Sequence, residues 1–165
     1  MDIADLVLND HHRQRQAFAL LDEIDPQDTE KLSAVWTDLA AFLELHAAAE
    51  EAVLYPVVLK RSDPTAEETK DAIGDHNKIR DAIARAAKAE AGSDAWWQAV
   101  GDCRAENTEH MGEEEDEVLP HLRQEVSVQT RSELGLAFEA AKTSRQSTRL
   151  DESDKDPQGY VDAHT

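Results

Sequence analysis

The sequence is short of several residue types, and each shortage narrows the choice of fold. Its 165 residues include one cysteine, six glycines and five prolines, and aromatic residues make up only 5%. So few glycines and prolines do not suit a turn-rich all-β domain, whereas abundant Ala, Leu and Glu favour helices. The single thiol, Cys103, cannot form an intrachain disulfide, which is typical of a reducing compartment. We therefore expect a cytoplasmic protein.

Basic residues and long apolar runs are also scarce. The chain has 17 Lys and Arg against 36 Asp and Glu, which gives a net charge of -19. Nucleic acids and anionic membrane surfaces repel such a charge, so we expect neither as a partner. No apolar run is long enough to cross a bilayer, and the acidic first residues do not resemble a secretory signal. The length suits one domain with a substantial core.

Helix signals divide the chain into long segments. Proline, glycine and capping residues predict helices at about 3–24, 29–60, 65–90, 94–125 and 130–142. Short connections between long helices favour antiparallel neighbours. The predicted fold class is all-α, with an up-down-up-down four-helix bundle built from a duplicated hairpin at 1–125, an additional C-terminal helix at 126–145 and a disordered polar tail at 146–165.

Two parts of the chain repeat each other. The pattern H-x-x-x-E-E, followed at the same distance by Pro, occurs in HAAAEEAVLYP at 46–56 and again in HMGEEEDEVLP at 110–120. Upstream of each copy, at 10–18 and at 75–83, an Asp-His pair is followed by Arg four residues after the His. Because the offset between copies is nearly the same for both segments, the chain contains two copies of one helical hairpin.

The repeat places histidine and glutamate on the apolar faces of the predicted helices. Since an α-helix turns by about 100° per residue, His46 and Glu50 share one face, and His110 and Glu114 share another. The face of His46 also carries Leu43 and further apolar residues. A carboxylate on such a face is costly unless it is paired or bound to a cation.

Two more histidines point inward in the same way. His11 shares its helix face with Val7 and Phe18, and His76 shares its face with Ile73. A lone inward His is usually a hydrogen-bonded core residue, but duplication of the whole set favours a metal site. Four His and two Glu on facing helices predict a dinuclear centre. Nitrogen and oxygen donors without a thiolate suit iron best, then manganese, and zinc less well.

These four His and two Glu, in their order along the chain, resemble the ligand pattern of the bacterial hemerythrin-like HHE cation-binding family over about residues 3–122. The resemblance implies a four-helix bundle with two iron ions, bridged by an oxo or hydroxo group. The metal ligands that it implies are His11, His46, Glu50, His76, His110 and Glu114.

The chain departs from the oxygen-carrying members of that family. Those proteins have a second His one turn before the position of His76, where this chain has Ala72. Their fourth helix has an Asp five residues after its His, whereas Glu114 follows His110 by four. One donor fewer implies an open coordination position, so reversible oxygen carriage is not expected.

Other residues near the set have less definite roles. Tyr55 is a candidate for the open position or for a hydrogen bond to a ligand, with core packing as the alternative. A straight helix would turn Tyr55 away from Glu50, but Pro56 follows it and can kink the helix. We assign no ligand role to the second acids of the repeat, Glu51 and Glu115, and expect them to be solvated or structural.

These expectations describe a non-haem di-iron protein that reacts with small oxidants, namely dioxygen, hydrogen peroxide or nitric oxide. The resemblance is consistent with an oxidoreductase that decomposes peroxide in oxidative or nitrosative stress defence. Two alternatives stay open: an oxygen or iron sensor or store without turnover, and a di-iron oxidase acting on an organic substrate. We expect a monomer or a weak homodimer.

Overall fold

The computed structural model describes residues 1–60, 65–146 and 154–165, and the regular structure in these ranges is helical throughout. The helices are α1 (Ile3–Asp22), α2 (Thr29–Ala49), α3 (Tyr55–Leu59), α4 (Thr65–Lys88), α5 (Asp94–Glu113), α6 (Leu119–Glu125), α7 (Val128–Gln146) and α8 (Pro157–His164). The all-α prediction is confirmed. None of the helices in the described ranges is long and apolar enough to cross a membrane.

Polar residues at the helix starts fix where the long helices begin. The side chains of Asp2, Asp28 and Ser93 each accept a hydrogen bond from a backbone N–H in the first turn of α1, α2 and α5. This satisfies groups that a helix terminus leaves without an internal partner. Gly92 precedes the last of these caps with a φ of 81°, a conformation that glycine adopts without steric cost.

Two apolar clusters enclose the buried histidines from both ends. On α1, Val7 belongs to one cluster and Phe18 to the other, and His11 lies between them in the sequence. On α4, His76 lies in the same way between Ile73 and Ile79. The helices therefore carry their histidines in one layer, with packed apolar side chains above and below it.

Two π-helical turns interrupt the long helices. They span Glu50–Leu54, between α2 and α3, and Glu114–Val118, between α5 and α6. In each turn a backbone N–H bonds to the carbonyl five residues earlier, from Tyr55 in the first copy and from Leu119 in the second. Such turns contain an extra residue and occur often at functional sites.

The π-helical turn changes the direction in which Tyr55 points. Pro56 lacks an N–H and crowds the carbonyl four residues before it, so the regular helix cannot continue unchanged through this position. The extra residue rotates the following side chains relative to a straight helix. Tyr55 is consequently buried, with 1% of its surface exposed. A buried Tyr55 is what both sequence-based alternatives, contact with the site and core packing, require.

The C-terminal part of the chain is more ordered than the sequence suggested. The prediction of a disordered tail at 146–165 is wrong for residues 154–165, where α8 begins at a cap by Asp156 and buries Val161. Tyr160 on α8 donates a hydrogen bond to the backbone carbonyl of Glu51. Residues 147–153 lie outside the described part of the chain. The fifth helix predicted at 130–142 is longer than expected, since α7 spans Val128–Gln146.

Candidate metal centre

The six predicted ligands lie together in the interior. None of them exposes more than 3% of its surface. They form two overlapping groups in which the donor atoms lie within 4.8 Å of one another, the first made of His11, His46, Glu50 and Glu114 and the second of Glu50, His76 and His110. Glu50 belongs to both groups, which is the arrangement that a carboxylate shared by two cations requires.

Several donor atoms of this cluster have no hydrogen-bond partner among the described residues. They are Nε2 of His11, Nε2 of His46, both carboxylate oxygens of Glu50 and Oε2 of Glu114. These atoms face one another, and Nε2 of His46 lies 2.9 Å from Oε1 of Glu50. Nε2 of His11 lies 3.3 Å from Oε2 of Glu114, so their lone pairs face the same space. Buried polar atoms are seldom left without a partner, because each one costs free energy. Bound cations would satisfy all of these atoms at once.

The remaining two histidines approach each other in the second group. Nε2 of His76 lies 3.1 Å from Nε2 of His110, and Nε2 of His76 lies 3.4 Å from Oε2 of Glu50. Neutral imidazole binds metal through a ring nitrogen that carries no proton. The inward-facing atom of each ring in this pair is the one that would take that role.

Carboxylates behind the histidines fix which ring nitrogen faces inward. Nδ1 of His11 lies 2.8 Å from Oε1 of Glu115, and Nδ1 of His76 lies 2.9 Å from Oε1 of Glu51. A neutral imidazole that donates from Nδ1 keeps a lone pair on Nε2, as metal-binding histidines do. Each contact joins one copy of the repeat to the other.

The same two carboxylates each bind an arginine. Arg15 donates to Glu115 at 2.8 Å, and Arg80 donates to Glu51 at 2.8 Å. These are the repeated arginines four residues after the Asp-His pairs. We expected Glu51 and Glu115 to be solvated or structural, and these contacts give both a structural role that was not specified. The sequence signal for these contacts was that both copies of the repeat contain the second Glu and the Arg.

Asp10 supports a third histidine, His46, in the first copy of the repeat. Oδ2 of Asp10 lies 3.2 Å from Nδ1 of His46 and accepts from Lys142 of α7 at 2.6 Å. Its counterpart Asp75 instead accepts from Lys78 at 2.7 Å. The helix α7 thus contributes to the surroundings of the cluster from outside the repeated hairpins.

Two histidines of the metal-free cluster, His46 and His76, have raised pKa values. Burial acts to lower the pKa of His46, but Glu50 and Asp10 outweigh it and raise that pKa to about 10. Burial is likewise outweighed at His76, whose pKa is raised to about 9 by Glu50 and Glu51. Burial would raise the pKa of Glu50, yet the facing histidines hold it well below its usual range. Metal binding to such a site releases protons.

Tyr55 reaches the cluster as a hydrogen-bond donor. Its hydroxyl donates to Oε1 of Glu114 at 2.9 Å, and its ring stacks on His76 with 5.8 Å between centroids. Burial and the nearby Glu114 raise the pKa of the phenol well above its usual range. Direct coordination by Tyr55 stays a prediction, whereas contact with a predicted ligand is part of the structure.

A polar pair lies next to the histidines on α1 and α5. The amide of Asn107 donates to Oε1 of Gln14 at 3.0 Å, and both side chains are buried. Nε2 of Gln14 has no partner within the described ranges. Cys103, one turn before Asn107, is also buried, and burial raises the pKa of its thiol to about 12. Such a thiol is not a nucleophile at neutral pH.

The comparisons with known proteins agree with the ligand pattern. The family model described as the hemerythrin HHE cation binding domain matches residues 2–122, a range that contains all six clustered residues. Neither the comparison with curated proteins nor the comparison with solved structures returned a match. The matched range ends within α6, so α7 and α8 lie beyond it.

Proposed function

Because the chain belongs to the family of hemerythrin HHE cation-binding domains, we propose that its buried cluster holds two iron ions and reacts with small oxidants. The oxidants are dioxygen, hydrogen peroxide or nitric oxide. We propose decomposition of peroxide as the reaction, in defence against oxidative or nitrosative stress.

The observation that carries this proposal is the convergence of six buried imidazole and carboxylate side chains in two overlapping groups. Glu50 lies in both groups of donors, which supports two cations sharing one carboxylate. Glu114 is a second candidate for sharing, since its Oε2 lies 3.3 Å from His11 and 3.6 Å from His110. Imidazole and carboxylate donors without thiolate support iron over softer metals.

Iron bound there would supply the change of oxidation state that reaction with dioxygen or peroxide requires. The chain supplies the surroundings. The two apolar clusters limit access of water, and Phe138 of α7 packs edge-on against His46 with 6.0 Å between ring centroids. Tyr55 holds a proton on the oxygen that faces Glu114. The methyl side chain of Ala72 provides no metal donor, and it is smaller than the histidine found at this position in oxygen carriers. The space beside it is therefore large enough for a small molecule.

We also propose an arrangement for the helices and a cellular compartment for the protein. The four segments that carry the histidines form an up-down-up-down bundle, with α7 and α8 packed against it. A single buried thiol and the strongly acidic composition support a cytoplasmic protein. A monomer or a weak homodimer fits a site whose ligands all come from one chain.

Oxygen evolution from hydrogen peroxide tests the proposed reaction. We expect the iron-loaded protein to produce more oxygen per iron than free iron in the same buffer, over many turnovers. His110→Ala should lose this activity together with iron, while Glu109→Ala, an exposed neighbour on α5, should keep both. An iron-loaded wild type that is no better than free iron contradicts the enzyme and leaves sensing or storage. Turnover of an organic substrate instead would assign an oxidase.

A further inference from the structure

A cavity of about 110 Å³ lies between α4 and the α5–α6 segment, beside the metal centre. Its outer part is lined by four carboxylates, and we name these the acidic vestibule: Glu68, Asp71, Glu113 and Glu117. Three of the four are exposed to solvent, and Glu68 is half-buried. The volume is sufficient for several water molecules.

The inner part of the cavity reaches two of the predicted metal ligands. Ala72, His110 and Glu114 line it. Glu114 exposes 1% of its surface, and its Oε2 has no hydrogen-bond partner among the described residues. Glu114 therefore both lines the cavity and belongs to the cluster of metal-ligand candidates. The small side chain of Ala72 keeps this passage open.

The carboxylates of the acidic vestibule repel one another. Burial and the nearby Glu117 raise the pKa of Glu68. A cation between these groups would relieve the repulsion, whereas a neutral oxidant would not.

We propose that the acidic vestibule admits hydrated divalent cations, ferrous iron first, to the metal centre. Clefts lined by charge of one sign concentrate ions of the opposite sign and accelerate their association. The carboxylates would attract the hydrated ion, and the free oxygen of Glu114 would be the first inner donor that it meets. The proposal rests on the proposed function in one respect, that the metal centre takes up iron.

The experiment compares two triple variants that remove the same number of negative charges. The vestibule variant carries Asp71→Asn, Glu113→Gln and Glu117→Gln. The control variant carries Asp38→Asn, Asp81→Asn and Glu90→Gln, three exposed acids outside the cavity. Metal-free protein is mixed with ferrous iron without oxygen, and a coloured ferrous chelator added at set times measures the iron not yet taken up.

We expect the vestibule variant to take up iron about tenfold more slowly than the control variant at low ionic strength. The difference should shrink at about 1 M salt, where charges are screened within about 3 Å. Both variants should reach the same final iron content as wild type. Equal uptake rates for the two variants would overturn the proposal, because the cation would then enter elsewhere.

Two further outcomes separate this proposal from its premise. If wild type itself takes up no iron, the proposed function is wrong. That conclusion does not depend on the comparison between the two variants. If the vestibule variant takes up iron like the control but its loaded form is oxidised more slowly by dioxygen, the cavity is a path for the oxidant. That result would also overturn the proposal.

Discussion

Tyr55 donates its hydroxyl hydrogen to Oε1 of Glu114 at 2.9 Å, and this contact crosses from the first copy of the repeat to the second. The two copies match closely elsewhere, but the position equivalent to Tyr55 is Leu119. The two halves of the metal centre are therefore chemically different. Glu114 has a neutral donor beside it, whereas the corresponding carboxylate, Glu50, faces histidines: Nε2 of His46 lies 2.9 Å from its Oε1 and Nε2 of His76 lies 3.4 Å from its Oε2.

Replacing Tyr55 by phenylalanine removes this donor and keeps the ring. We expect Tyr55→Phe to lower the free energy of unfolding of the metal-free protein by about 1–3 kcal/mol, because a buried carboxylate oxygen loses its partner. Iron content should stay near that of wild type. Thermal unfolding and metal analysis measure these effects, and Tyr160→Phe, which removes the other phenol, is the control for iron content and absorption. If Tyr55→Phe alone removes a phenolate-to-iron absorption band, Tyr55 is a ligand and the donor role is wrong.

The carboxylates behind the histidines should influence metal affinity without binding metal. We expect Glu51→Gln and Glu115→Gln each to weaken iron binding by about 10–100-fold, since an amide fixes the ring orientation of a histidine less well. Glu125→Gln, an exposed change on α6, should leave affinity unchanged. Competition with a chelator of known affinity gives the values. Affinities equal to that of the control would show that the contacts with His76 and His11 do not matter for binding.

The clustering of the six residues could be predicted because its signal is local and duplicated. His46 and Glu50 are one helical turn apart, and helix periodicity alone turns both toward the core. The same holds for His110 and Glu114. The structure brings these four together with the two histidines of α1 and α4, as the repeat indicated.

The supporting contacts could not be predicted in the same way, because they depend on how the two copies meet. Glu51 belongs to one copy and its partner His76 to the other. No spacing within either copy indicates that contact. The π-helical turn after Glu50 was also missed, since the sequence shows a proline but not how the helix accommodates it. The position of Tyr55 followed from that turn.

The C-terminal helix was missed for a different physical reason. Its segment is polar, and Val161 is the single residue of α8 that the structure buries among those described. The helix is held largely by polar contacts. Asn77 donates to the backbone carbonyl of Lys155 at 2.8 Å, and the ammonium group of Lys155 contacts the carboxylate of Glu51. A hydrophobic pattern does not reveal an element that docks in this manner.

Removing residues 147–165 tests whether α8 stabilises the protein. We expect the truncated chain to lose up to about 3 kcal/mol of unfolding free energy, through exposure of the surface that Val161 covers and loss of the Tyr160 hydrogen bond. Iron content should persist, because Arg80 still holds Glu51 against His76. Chemical denaturation measures the change, with Lys155→Ala compared against the exposed Lys31→Ala. An unchanged free energy of unfolding would mean that α8 does not dock in solution.

A histidine at position 72 should alter reactivity by filling the space beside His110 and Glu114. We expect Ala72→His to slow peroxide decomposition per iron, because the added side chain occupies the open side of the metal centre. Ala84→His places the same residue at an exposed position on α4 and should have no effect. Oxygen evolution at known iron content measures the rates. A rate for Ala72→His equal to that of Ala84→His would show that oxidants reach the metal from another side.

The iron content of purified wild type and of Glu50→Ala tests the central claim most directly. Glu50 belongs to both groups of donors, so its loss should disturb both ions, whereas Glu109→Ala should change nothing. We expect about two iron ions per wild-type chain, as carboxylate-bridged helical bundles hold, and a large loss in Glu50→Ala measured by elemental analysis. A wild type without iron, or a Glu50→Ala variant with the full wild-type complement, would contradict the shared dinuclear centre.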